Sequence, residues 1–314
     1  MGFLDKLRRK RPSNEKTRAR EEAATPGTPS GDTSTGAKEQ PSAEAPAVAK
    51  ASPVMRIGRA SDVGRVRTSN QDALVTFVAE YIGDRADDAG MLTQGPFGFF
   101  IIADGMGGHQ AGEVASSLAA RVVAQQIIKT LYLPYLMGEG PEAFQAPLTD
   151  LLGQAVSTAN QAVHQQVPGG GTTLTCALVL GHRVYIAHVG DSRAYLVTDR
   201  LRQLTQDHSF VGRLVELGEL SPDEAAVHPQ RNVLYRAVGQ GDHLDVDTYS
   251  QLLPPASRLL LCSDGLWGHV SEEEIGAIIA STPNPQEACE RLIEAANAAG
   301  GSDNITVVLI EIPD

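Results

Sequence analysis

The chain has 314 residues, with 26 Lys and Arg against 38 Asp and Glu, giving a formal net charge of −12. That length suits one large domain or two small ones, and the acidic balance argues against nucleic-acid binding, which needs a basic face. Cys176, Cys262 and Cys289 lie far apart, which excludes a zinc ribbon or a disulfide framework and fits a reducing cytosol.

The first twenty residues carry a basic cluster, Lys6 and Arg8 to Arg11, beside Phe3, Leu4 and Leu7. The cluster reads first as a solvated start, with a weak membrane-surface or partner-binding patch as the alternative; no apolar stretch follows it to make a signal peptide. From Ala24 to Pro53, 23 of 30 positions are Ala, Ser, Thr, Pro or Gly. Such a segment has no apolar face to offset its ordering entropy. A disordered tail over residues 1–53 and a folded domain over 54–314 are therefore expected. The tail holds 10 basic and 7 acidic residues and the domain 16 and 31, so the acidity belongs to the domain.

Within the domain, β-branched and aromatic stretches predict strands at 73–81, 97–103, 173–180, 183–189, 192–198, 258–262 and 305–312. Helices are predicted at 113–131, 148–166, 210–217, 271–280 and 285–299. Ser271 with Glu274 forms a capping box, and Gly300 suits a C-cap. The very short links between the strands at 173–198 demand antiparallel pairing, with helices before and after that block. The pattern is α+β, antiparallel sheet with helices on its outer faces. No apolar run approaches the roughly 20 residues of a membrane span, and a soluble, cytoplasmic monomer is expected.

Aspartates stand where the apolar runs end: Asp104 after 99–103, Asp264 after 259–263, Asp303 before 305–312, Asp72 before 73–81, and Asp191 after 183–189. Each alone reads as a turn residue. Five at strand boundaries form an oxygen-only donor set that could share a pocket only with cations, and oxygen ligands point to Mg²⁺ or Mn²⁺ rather than zinc. A GxxxxGK[ST] loop, HExxH and GxSxG are all absent. These residues alone leave the reaction open.

Taken in order, the segments 61–72 (SDVGRVRTSNQD), 103–116 (ADGMGGHQAGEVAS), 170–179 (GGTTLTCALV), 188–196 (HVGDSRAYL), 206–220 (QDHSFVGRLVELGEL), 228–239 (HPQRNVLYRAVG), 262–267 (CSDGLW) and 301–309 (GSDNITVVL) resemble bacterial metal-dependent Ser/Thr protein phosphatases of the 2C type, the PPM family. The resemblance implies a four-layer αββα sandwich, two central antiparallel sheets flanked by helices. It implies two metal ions, Mn²⁺ or Mg²⁺, bridged by Asp104, with the Gly105 carbonyl on one and Asp264 and Asp303 on the other. Asp72 would act through metal-bound water, Arg67 would grip the substrate phosphate, and Asp191 with Asp264 would hold a weaker third ion. Residues 206–239 look like the flap that helps select substrates.

The reaction so implied is hydrolysis of phosphoserine and phosphothreonine by a water activated between two metals. Phosphorylated proteins, made by a bacterial Ser/Thr kinase, would be the substrates. The alternative is a non-catalytic phosphoprotein-binding module of the same fold. Three residues depart from the family pattern: Gln71 replaces a common Glu, Met106 replaces the eukaryotic His, and Gly268 replaces a common acidic residue. His109 is a candidate for the missing general acid. Trp267 reads as core, His208 and His228 as loop braces, and Arg193 as the partner of a carboxylate.

Overall fold

The computed structural model describes residues 55–79, 97–107, 109–137, 146–221, 224–225 and 227–313. The expected tail lies outside the described residues, as do residues 80–81 of the first predicted strand and the side chain of His109.

Eleven strands are described: β1 (Arg56–Asp62), β2 (Asp72–Ala79), β3 (Phe97–Met106), β4 (Gly171–Thr172), β5 (Leu174–Leu180), β6 (Arg183–Val189), β7 (Arg193–Val197), β8 (Leu201–Gln203), β9 (Asp247–Leu252), β10 (Arg258–Cys262) and β11 (Ile305–Glu311). The helices are α1 (His109–Ile127), α2 (Leu133–Leu136), α3 (Leu148–Gln166), α4 (Phe210–Glu216), α5 (Asp264–Trp267), α6 (Glu272–Ser281) and α7 (Pro285–Ala298). One sheet runs β1-β11-β10-β7-β8 and the other β2-β3-β5-β6-β9, with β4 added beside β3. The pairings within both sheets are antiparallel.

Period-two alternation assigns each strand residue to a layer. Phe100 and Ile102 of β3 meet Leu259, Leu261, Val308 and Ile310 in a core between the sheets. Their neighbours Phe99 and Ile101 point the other way, onto Ala119 and Val123 of α1 and Leu152 and Val156 of α3. On the far side, Leu260, Val307 and Leu309 pack against Ile275 of α6 and Leu292 of α7. The central strands are buried on both faces, which is why they read as unbroken apolar runs. The result is the expected αββα sandwich. The caps also form as expected: Ser271 Oγ accepts from the Glu274 N–H at 3.2 Å, and Gly300 adopts a φ of 127° just past α7.

Two boundaries beside the aspartates differ from expectation. The third strand runs on through Asp104 and Gly105 to Met106, because β4 pairs with that extension, Gly105 opposite Thr172 and Met106 opposite Gly171. The first long helix begins at His109 rather than Glu113, close behind the strand end. β1 and β9 were missed by the pattern. Each lies at a sheet edge, and their sequences RIGRASD and DTYSQL mix polar with apolar residues.

Candidate metal centre

The sheet registers gather the aspartates. Asp72 at the start of β2 is directly opposite Asp104 near the end of β3. Leu174 pairs with Val189, so β6 delivers Asp191 at the same sheet end. In the other sheet Cys262 pairs with both Val307 and Arg193, which sets Asp264, just after β10, beside Asp303, just before β11. A cavity of about 390 Å³ opens at this edge. Arg67, Gln71, Asp104, Gly105, Asp191, Asp264 and Asp303 line it. Asp72 lies behind that lining and reaches Ser263, whose hydroxyl donates to Asp72 Oδ2 at 2.9 Å.

Crowding the carboxylates away from water has an electrostatic cost. Burial, then the charge of Asp264, holds Asp104 well above the usual carboxylate range. Burial also pushes Asp72 up to about 7, against hydrogen bonds from Thr306 and Ser263 that favour its anion. Asp264 rises to about 6 through burial and the charge of Asp303, partly offset by a hydrogen bond with Asp104. Asp191, 5% exposed, is raised by burial and then by Asp264. Asp72 Oδ1 and Asp264 Oδ1 are buried and have no hydrogen-bond partner among the described residues. Orphaned anionic oxygens of this kind fit a hard divalent cation. No three acidic, imidazole or thiol side chains among the described residues close around one point.

The backbone around Asp104 is firmly held. Its N–H donates to Thr173 Oγ1 at 2.9 Å, and its carbonyl accepts from Thr172 Oγ1 and the Thr173 N–H, each at 2.8 Å. A Cβ on Gly105 would stand 2.2 Å from the Gly112 carbonyl oxygen and 2.8 Å from that of Gln71. Only glycine lets α1 and the β2 entry close so tightly on the strand. Arg67 sits at the mouth, its side chain 47% exposed, with Nη2 donating to Asp303 Oδ2 at 2.6 Å. That bond raises the guanidinium pKa further.

Sequence reasoning gave no role to Thr173, Ser263 or Asn304. Asn304 joins the Arg67 loop to β11. Its Nδ2 donates to the carbonyls of Val63 and Ser69 at 2.9 and 3.0 Å, and its Oδ1 accepts from the Gln71 N–H at 2.8 Å. A side chain that both donates and accepts is required there, and an Asn right after a strand-end Asp was the available signal.

Arg193 grips Asp207 through two donors, Nε to Oδ1 at 3.1 Å and Nη2 to Oδ2 at 2.8 Å. Its guanidinium also lies 3.7 Å over the Trp267 ring. Trp267 packs against the helix-side core and donates its indole N–H to the Asp191 carbonyl at 3.0 Å. His208 braces the Asp191 loop: its N–H donates to the Gly190 carbonyl at 2.7 Å and its Nδ1 accepts from the Gly190 N–H at 3.1 Å. His228 Nδ1 accepts from the Gln230 N–H at 3.1 Å. Met106 lines the cavity. At Gly268 a Cβ would stand 2.8 Å from the Asp264 carbonyl oxygen.

This arrangement has known counterparts. The family model "Protein phosphatase 2C" matches residues 71–213 and 251–305. The serine/threonine phosphatase stp of Listeria monocytogenes serotype 4b is 37% identical over 252 residues, 80% of this chain and 93% of that protein. The crystal structure of the Mycobacterium tuberculosis serine/threonine phosphatase PstP/Ppp superposes with a TM-score of 0.66 at 35% identity, covering 83% of this chain and 99% of that one. A structure of the PstP catalytic domain in complex with two manganese ions gives a TM-score of 0.64 at 34% identity, covering 83% and 99%. With the two-sheet sandwich and its edge of gathered aspartates, these matches show that the chain belongs to the protein phosphatase 2C family.

Proposed function

We infer that the protein is a metal-dependent phosphatase that hydrolyses phosphoserine and phosphothreonine in proteins, using two Mn²⁺ or Mg²⁺ ions. The observation that carries this reading is one cavity lined by Asp104, Asp264, Asp303 and the exposed Arg67, in which Asp264 Oδ1 is buried without a partner, with a second partnerless oxygen, Asp72 Oδ1, behind the lining. Asp104 would bridge the two ions, with the Gly105 carbonyl on one and Asp264 and Asp303 on the other. Asp72, oriented by Ser263, would act through a water molecule. Asp191 would hold a weaker third ion with Asp264, weaker because residue 268 brings no carboxylate. When bound, such ions make water nucleophilic near neutral pH and draw charge from the phosphoryl oxygens.

The chain's own groups do the rest. Arg67 offers a planar fork of donors to the phosphoryl oxygens, orienting the ester and spreading its charge. Met106 has no proton to give, so the leaving Ser or Thr oxygen takes its proton from solvent or from another group, His109 being the candidate. A covalent phosphoenzyme is disfavoured by the residues present. The Ser263 hydroxyl is committed to Asp72 and to the Thr306 N–H. The three cysteines are buried and unpaired, and burial pushes each thiol up to about 12.

On the same reading the substrates are products of a Ser/Thr kinase, met by a monomer in the cytoplasm, and the basic N-terminal residues are the part of the chain that would give a weak membrane-surface association. The free thiols fit such a reducing compartment. Among the described residues no helix is long and apolar enough to cross a membrane. The test is phosphate release from a phosphothreonine peptide with Mn²⁺ and with excess chelator. Release that requires Mn²⁺ supports the enzyme, and equal silence in both supports the non-catalytic module.

A further inference from the structure

His269 joins the two loops that carry Asp264 and Asp303. β10 and β11 are laddered as far as Ser263, whose N–H donates to the Thr306 carbonyl at 3.0 Å. Beyond that bond the chains leave the sheet, one into α5 and the other into the 300–304 loop. Only a few contacts can then hold the two aspartates at a fixed spacing. One is backbone on backbone: a Cβ on Gly265 would stand 2.0 Å from the Asn304 carbonyl oxygen. The other is the His269 imidazole. Its Nδ1 lies 3.0 Å from the Gly265 carbonyl oxygen. Its Nε2 lies 2.9 Å from Ser302 Oγ and 3.2 Å from the Ser302 N–H. Gly265 follows Asp264 and Ser302 precedes Asp303, so each anchor is one residue from a carboxylate.

The hydrogen-bond arithmetic selects one tautomer. The Ser302 N–H can only donate, so Nε2 is an acceptor, and the ring proton sits on Nδ1, where it donates to Gly265. The base of the ring is fixed as well, because the His269 N–H donates to the Leu266 carbonyl at 3.1 Å within the turn that Asp264 begins. We propose that His269 is a positioning residue, setting the separation of Asp264 and Asp303 and thereby the affinity of the ion they share. The proposal rests on the metal-dependent reading above. A simple loop brace would support folding alone and leave ion affinity untouched.

The experiment is calorimetric Mn²⁺ titration of the full-length chain, stripped of metal, for wild type, His269→Ala, His269→Gln and Ser302→Ala. Thermal unfolding in chelator is followed alongside. Outer-shell partners of metal ligands typically govern affinity by roughly 10–100-fold. His269→Ala is expected to weaken Mn²⁺ binding on that scale while its melting temperature in chelator stays near wild type. His269→Gln, which keeps an acceptor for Ser302, should recover part of the loss. Combining His269→Ala with Ser302→Ala should add little to either alone, since both break the same link. At saturating Mn²⁺ the turnover of His269→Ala should approach wild type. Mn²⁺ affinity within twofold of wild type in His269→Ala would overturn the proposal, as would Gln behaving no better than Ala. If His269→Ala does not fold, His269→Gln and Ser302→Ala carry the comparison. Failure of wild type itself to bind Mn²⁺ would instead count against the phosphatase reading.

Discussion

Ser263 donates its hydroxyl hydrogen to Asp72 Oδ2 at 2.9 Å and accepts the Thr306 N–H on the same oxygen at 3.0 Å. It stands at the end of β10, while Asp72 opens β2 in the other sheet, so this side chain stitches the two sheets together beneath the cavity. It also gives Asp72 a fixed direction, leaving Oδ1 as the oxygen without a partner.

Replacing Ser263 by Ala therefore strips a donor from a buried carboxylate and an acceptor from a buried N–H. Leaving such groups unpaired costs ~1–3 kcal/mol. Ser263→Ala should be less stable in urea by that free energy, with a lower unfolding midpoint, and should bind Mn²⁺ more weakly. Urea melts and metal titration of the same sample check both. A Ser263→Ala protein matching wild type in each would show that the bond is incidental.

Two glycines in long helices should respond oppositely to the same change. At Gly112 a Cβ would lie 2.4 Å from Gln71 Nε2 and 2.9 Å from the Gly105 carbonyl carbon. At Gly153 its nearest neighbour would be Thr248 Cγ2, at an ordinary 3.5 Å. Helix propensity favours Ala over Gly by ~1 kcal/mol, whereas overpacking costs ~1–3 kcal/mol. Gly153→Ala should raise the melting temperature with turnover unchanged. Gly112→Ala should lower it and depress turnover, because it displaces Gly105. Thermal melts with phosphopeptide assays separate the two cases.

Much of this centre was legible because its aspartates sit where apolar runs stop, and the runs themselves mark strands buried on both faces. Asp104 was misplaced by one feature: the strand continues through it to Met106, paired with a two-residue partner at Gly171 and Thr172 that is too short for any periodic signal. β1 and β9 escaped for a related reason, since edge strands carry polar residues that blur alternation. Side-chain links such as Ser263 to Asp72 or Asn304 to Val63 span 191 and 241 positions. No local pattern encodes such a pairing. Only the assembled registers bring those residues together.

The interior imposes a pH limit. His188 is fully buried, its Nε2 2.9 Å from the Gln206 carbonyl oxygen and its Nδ1 2.8 Å from Thr175 Oγ1. Burial, reinforced by the charge of His208, lowers its pKa from 6.5 to about 4. A depressed folded-state pKa means that protonation favours unfolding. The stabilising contribution is whole above pH 6.5 and is lost as pH falls toward 4. The full loss is about 3 kcal/mol, at ~1.4 kcal/mol per pKa unit. The raised site carboxylates act with the opposite sign, but they are common to wild type and His188→Gln. The difference in urea stability between these two proteins, followed from pH 7 to pH 4, should shift against wild type by that amount. A flat difference would contradict the assignment.

On the proposed reading, Arg67 separates substrate binding from ion binding. Arg67→Lys keeps the charge and loses the fork, so kcat/KM on a phosphopeptide should fall by roughly thirtyfold, about 2 kcal/mol for charge-assisted hydrogen bonds. Mn²⁺ affinity should be retained, because the variant removes a competitor for Asp303 Oδ2 and no ligand. Loss of metal binding in Arg67→Lys would give the arginine a structural role instead.

If the proposed function is right, the carboxylates gathered at one edge of the sandwich form a metal centre for phosphoester hydrolysis. Its most direct test is Mn²⁺-dependent phosphate release from a phosphothreonine peptide by wild type, Asp104→Asn and Asp264→Asn, each first shown to be folded by circular dichroism. Wild type should release phosphate steadily, abolished by chelator, and both variants should fall by at least roughly a thousandfold, about 4 kcal/mol of lost transition-state stabilisation. Release by either variant at the wild-type rate would contradict it.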